Sequence, residues 1–147
     1  MINTGYRPSE GAGLLPDEIR LSDNVPHIVI QKNRNRGLKT GHSKRVLPLV
    51  GIGLEAFRAA PRGFARYASN SATLSATVNE YLRGKGLLET VRHSLYSLRH
   101  SFEDRLLVAG VDERVRRDLL GHALNRERYG SGGDLVFLRD QVLKAAI

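Results

Sequence analysis

The strand signals of this chain are confined to its first third, and everything after them carries helical periodicity. Three short segments, Glu18–Leu21, His27–Gln31 and Arg45–Leu49, have the residue types of strands. The first two flank S-D-N-V-P, whose Asp, Asn and Pro suit a turn. The polar, strongly basic stretch Lys32–Lys44 reads as a long hairpin tip between the second and third. Beyond it, breakers and caps mark out helices. Gly53–Ala60 is stopped by Pro61. A second helix, capped by Ser71 or Ser75, runs to Tyr81–Leu82 with Leu74, Val78, Tyr81 and Leu82 on one face. Leu95–Ala109 carries Leu98, Phe102, Leu106 and Leu107 and closes at Gly110. Asp112 caps the next helix, which turns Val115, Leu119 and Leu120 inward and stops at Gly121. Asp134–Ala145 is the last, striped by Leu135, Leu138, Val142 and Leu143. Residues 5–14 read as a helix end or tight loop. A small sheet beside a helical bundle is an α+β arrangement, and 147 residues suffice for one domain with a buried core.

Charge narrows the partners. There are 23 Lys and Arg against 15 Asp and Glu, formally +8, which attracts polyanions: nucleic acid first, an anionic membrane second. The basic residues are spread over loops and several helices, unlike those of a membrane-surface helix. No apolar run approaches the roughly 18 residues of a transmembrane span. The N-terminus lacks the basic-then-apolar order of a secretory signal. Without cysteine there are no disulfides or thiolate metal sites, a composition compatible with a reducing cytoplasm.

Five side chains suited to a phosphodiester recur in short distinctive segments. They are Arg7 in T-G-Y-R-P-S-E, Lys39 in L-K-T-G-H-S-K-R, Arg99 in Y-S-L-R-H-S-F, His122 in L-L-G-H and Tyr129 in R-Y-G. Arginine meets phosphate oxygens in pairs and is always charged, so two from distant segments could bracket one phosphate. Lys39, on a basic tip, could protonate a leaving oxygen; the plain alternative is a solvated lysine that only positions DNA. Lys32, Arg34, Arg36, Lys44 and Arg45 are expected to contact DNA in that second way. His122 could bond the phosphate or be structural. Tyr129 sits among arginines and glycines, unlike a core residue, and its phenol, with an ordinary pKa of about 10, needs nearby cations to become an attacking phenolate.

In these five segments, taken in this order, the chain resembles the tyrosine recombinases of the phage-integrase family. T-G-Y-R-P-S-E is similar to the family's first-arginine motif, with Glu10 as its acidic companion; L-K-T-G-H-S-K-R-V-L-P-L is similar to its hairpin-lysine motif. Y-S-L-R-H-S-F and L-L-G-H resemble the second-arginine and histidine motifs, and R-Y-G the nucleophile segment, so the likeness covers nearly all of residues 3–145. It implies a mainly helical α+β catalytic domain with a small three-stranded antiparallel sheet, needing no metal or nucleotide cofactor. It also implies double-stranded DNA as partner, cut and rejoined through a 3′-phosphotyrosyl link. By the same resemblance Arg7, Arg99 and His122 hold the phosphate, Lys39 is the general acid and Tyr129 the nucleophile.

The chain departs from the family pattern at three points. Tyr96 stands where a histidine is usual, three residues before Arg99; His93, one turn earlier, is a candidate substitute, and His100 points to another face. The interval from His122 to Tyr129 is about two residues short of the usual one. The chain also opens almost at the first arginine, which reads as a trimmed piece or remnant lacking the core-binding domain and first catalytic-domain helices. Two alternatives stand beside recombination: an inactive DNA-binding remnant or accessory protein, and a type IB topoisomerase-like relaxing enzyme. The last helix, after G-S-G-G, either docks on a neighbouring subunit, as in a tetramer on DNA, or packs on its own domain.

Overall fold

One antiparallel sheet, in the order β1 (Ile19–Arg20), β2 (His27–Ile30), β3 (Arg45–Pro48), stands at the centre of the computed structural model, which describes residues 1–38, 43–123 and 132–147. Ile28 pairs with Ile19 on one side and Leu47 on the other, and Ile30 pairs with Arg45. Side chains of paired residues share a face, so Ile28, Ile30 and Leu47 go into the core together and are essentially fully buried. Each strand is one or two residues shorter than its sequence signal. Glu18 belongs instead to a 3₁₀ turn, Pro16–Glu18, and the Gln31 carbonyl accepts from the Arg36 side chain (3.1 Å) rather than from a neighbouring strand.

Six α-helices surround the sheet among the described residues: α1 (Pro8–Ala12), α2 (Gly51–Ala59), α3 (Ser71–Gly84), α4 (Ser97–Val108), α5 (Glu113–Leu120) and α6 (Leu135–Leu143). The mainly helical α+β expectation holds. None of these helices is long and apolar enough to cross a membrane. Asp112 and Asp134 cap α5 and α6 through the Arg114 and Phe137 amides, both at 2.8 Å. The α3 cap is Asn70, whose carbonyl oxygen accepts from the Thr73 amide at 3.0 Å, rather than Ser71 or Ser75. Residues 5–14, expected as a loop or helix end, contain α1. Pro8 sets its first turn, and the Glu10 carboxylate reaches back to the Arg7 amide (2.7 Å), satisfying a donor the helix cannot. The same design recurs at Pro16, where Glu18 accepts from the Leu15 amide at 3.0 Å.

The core joins Ile28, Ile30, Leu47 and Leu49 of the sheet region to Phe57, Phe102, Leu106, Leu119, Leu120 and Val142 of the helices. α6 lies against β3 of its own chain, with Val142 only 1% exposed and Leu138 packed on the core. Three residues expected on apolar faces stay outside: Tyr81, Leu107 and Leu143 are each more than half exposed. α3 buries no residue fully, since its chief neighbours are the short α1 and the 3₁₀ turn Ala65–Tyr67. Its inner side instead meets an apolar hollow of about 300 Å3, lined by Leu74, Val78, Tyr6, Phe64, Leu95 and Leu98.

Candidate functional site

Arg99 opens the site from the first turn of α4 and is 1% exposed. Burying a guanidinium is costly unless its donors are met. Arg99 meets them with the Gly5 carbonyl, the Leu120 carbonyl (2.6 Å) and Nε2 of His122 (3.0 Å). No carboxylate lies within ion-pair distance of it among the described residues. Burial, then the charge of Arg7, pulls its pKa from 12.5 down to about 10; the Tyr96 phenol opposes this and Arg45 adds to it. It therefore remains a cation at neutral pH, hydrogen-bonded to two carbonyls and an imidazole.

The loop opposite brings Arg7. Gly5 has a φ of 59°, open to glycine but strained for other residues, and a Cβ there would meet Phe102 at 2.7 Å and Leu120 at 2.8 Å. The T-G-Y-R glycine thus lets the Arg7 loop press against α4 and α5. Tyr6 turns inward, edge-on to Phe57, and burial raises its phenol to about 12. Arg7 is the more accessible cation, its side chain 17% exposed and paired with Glu10 Oε1 at 2.8 Å.

Glu10 is shared. Its oxygens also accept from both terminal nitrogens of Arg45, at 3.0 and 2.8 Å. Burial on its own would raise this carboxyl, but the bonds and charge of Arg45, with those of Arg7, outweigh it and hold the pKa below the usual carboxylate range. A depressed pKa means stability that is complete above the ordinary value of 4.5 and is lost as the pH falls through the lowered one. Between about pH 5 and pH 3, wild-type melting temperature should therefore fall more steeply than that of Glu10→Gln. Parallel slopes in the two thermal titrations would contradict this.

His122 follows the end of α5, where Gly121 takes the left-handed conformation (φ 66°) and the His122 amide closes on the Arg117 carbonyl at 2.9 Å. Desolvation, then Arg99, lowers the His122 pKa below its ordinary 6.5; Arg7 and Arg117 act the same way and Glu103 opposes them. The imidazole is thus neutral at pH 7, and since Arg99 can only donate, Nε2 is the acceptor and Nδ1 carries the proton. Arg7, Arg99 and His122, far apart in sequence, thus act on one another at one place. Around them Arg7 and Arg45 share the Glu10 carboxylate while Arg99 adds a third guanidinium, so cations outnumber carboxylates in this group of described residues.

The other expected site residues divide. Tyr96 stands at the start of α4, close enough to influence Arg99, its ring edge-on to His100. His93 does not substitute for it: its Nδ1 pairs with the Thr90 hydroxyl (3.2 Å), and it lines a separate hollow with Leu82, Leu87 and Leu98. Lys32, Arg34 and Lys44 are exposed, as a DNA-positioning role requires. Arg36 and Arg45 are not. The Arg36 side chain is 3% exposed and binds Glu18 (3.1 Å) and the Glu10 and Gln31 carbonyls. That of Arg45 is 6% exposed, and with their donors spent inside the protein neither guanidinium is a surface phosphate contact. Sequence alternation carries the signal for Arg45, which with Leu47 and Leu49 forms an i, i+2, i+4 series facing the core. Lys39 and Tyr129 lie outside the described residues; Leu38, just before Lys39, packs on the core. Compared with models of protein families, with curated proteins and with solved structures, the chain finds no match.

Proposed function

We propose that this chain is the catalytic domain of a DNA-breaking and rejoining tyrosine recombinase, an integrase acting on double-stranded DNA. The observation that carries the reading is Arg99: a buried cation with no acidic partner among the described residues, beside Arg7 and a neutral imidazole. A cluster of guanidiniums, with Arg99 held by carbonyl dipoles, suits a phosphodiester whose non-bridging oxygens gain charge as a fifth ligand adds to phosphorus. Tyr129 supplies that ligand. Its phenol gives its proton to water, its oxygen forms the new bond to phosphorus as the bond to the 5′ oxygen breaks, and Lys39 gives the departing oxygen its proton and is reprotonated from solvent. A hydroxyl from a partner strand later reverses the step, so the phosphoester bond is conserved. Neutral His122 is suited to bond a phosphate oxygen through Nδ1–H. Exposed Lys32, Arg34 and Lys44 track the DNA backbone nearby. The setting is the nucleoid of a bacterial cytoplasm, with subunits gathered as a tetramer on DNA.

The decisive experiment uses a nicked suicide duplex carrying the attachment site of the element that encodes the protein. Wild type should yield a covalent protein–DNA adduct that survives denaturant, and Tyr129→Phe none. An adduct unaffected by Tyr129→Phe, or no adduct at any protein concentration, rejects the reading. Salt-sensitive DNA binding without an adduct would point to an inactive DNA-binding remnant, and supercoil relaxation without strand exchange to a topoisomerase-like activity.

A further inference from the structure

Arg45 is absent from the set of phosphate-binding groups, yet it bonds to both the Arg7 loop and the end of α5 that hold them. Its Nε donates to the Leu119 carbonyl at 2.9 Å, its Nη1 to the Ser43 carbonyl at 2.8 Å, and its terminal nitrogens to both oxygens of Glu10. Glu10 in turn holds the amide and the guanidinium of Arg7. On its other side, Leu119 immediately precedes Leu120, whose carbonyl binds Arg99. The last carbonyls of a helix have no partners within it and carry partial negative charge. In α5 the carbonyls of residues 119 and 120 are taken by two arginines from different elements, Arg45 of β3 and Arg99 of α4. Packing is close here: a Cβ on Gly121 would lie 2.7 Å from Arg45 Nη1.

We infer that Arg45 is a positioning residue, which fixes the Arg7 loop through Glu10 and the Arg99–His122 turn through Leu119, so that the two halves of the clamp keep one spacing. The inference rests on the recombinase reading for its effect on rate, though not for its effect on geometry. A lysine at 45 keeps the charge but cannot serve Glu10 and Leu119 from one planar fork. Misplacement of a reacting group by about 1 Å costs on the order of 100-fold in rate.

The test compares wild type with Arg45→Lys by three measurements: single-turnover cleavage of the suicide duplex, salt dependence of duplex binding, and NMR titration of His122, assigned with His122→Asn. Cleavage should drop on the order of 100-fold while the salt slope stays unchanged, and the His122 midpoint should rise toward its ordinary value as the imidazole leaves Arg99. The salt slope is also read with Arg45→Gln, which removes the charge: a slope reduced by about one would make Arg45 a phosphate contact and overturn the inference. So would a wild-type cleavage rate combined with an unmoved His122 midpoint. If wild type itself makes no adduct, the recombinase reading fails, and the His122 midpoint alone decides the role of Arg45. Should Arg45→Lys not fold, Arg45→Gln replaces it; if that unfolds too, Arg45 serves the fold alone and the inference is wrong.

Discussion

Replacing Arg99 with lysine is expected to slow strand cleavage by about 10²–10³, the usual effect of removing one preorganised donor from a site where charge develops. The substitution keeps the charge and removes the fork. Arg99 works in three directions at once, toward the Gly5 carbonyl, the Leu120 carbonyl and His122, and a single ammonium cannot hold all three. Two losses follow. The Leu120 carbonyl at the end of α5 loses its partner, and His122 loses the neighbour that fixes its tautomer. The stability change should be the smaller effect, about 1–3 kcal/mol for a buried polar group left unmet, so thermal melting separates a damaged fold from a damaged clamp. Cleavage by Arg99→Lys within a few-fold of wild type would mean that charge alone matters at this position, against the geometric argument.

The largest stability effect is expected elsewhere, at Arg36. Its partner Glu18 is 1% exposed, and one Glu18 oxygen is buried with no hydrogen-bond partner among the described residues. The other accepts from Arg36 at 3.1 Å, Asn33 at 2.8 Å and the Leu15 amide at 3.0 Å. Arg36→Met strands that carboxylate in the interior, and breaking a buried pair from one side typically costs about 3–5 kcal/mol. Removing both charges is another matter. Arg36→Met combined with Glu18→Leu should recover most of the loss in urea denaturation, because two apolar side chains of similar volume are often neutral replacements for a buried pair. A double variant no more stable than the single one would show that the Leu15 and Asn33 bonds to Glu18, rather than the ion pair, hold this corner.

Most of the architecture was legible in the sequence because its signals are local. Asp112 and Asp134 announce their helices by side-chain chemistry, and Gly121 ends α5 in the left-handed conformation that glycine, unlike other residues, adopts freely. α1 was not legible. Five residues are too few to nucleate a helix on their own, and this one depends on Pro8, on Glu10 reaching back to the Arg7 amide, and on the packing of the loop beneath it. R-P-S-E and L-P-D-E repeat one pattern, and the repetition was the available clue. Among the site residues, Arg7, Arg99 and His122 stood out by their segments, and the fold brings them together. What a linear reading of charge could not do was sort the basic cluster of residues 32–45. A lysine in water and an arginine in the core count equally toward net charge, so Arg36 and Arg45 looked like Lys32 and Arg34. Burial distinguishes them, and burial follows from strand register and from carboxylates 18 and 35 residues away in sequence.

The surplus of cations around Arg99 sets a trade between robustness and appetite. Like charges crowded together repel, so a neutral version of this pocket would make a sturdier protein that had no use for a phosphate. An anion lodged among those guanidiniums would relieve the repulsion between the Arg7 loop, β3 and the end of α5. Any anion that binds there is linked to folding by mass action, so binding should raise the melting temperature.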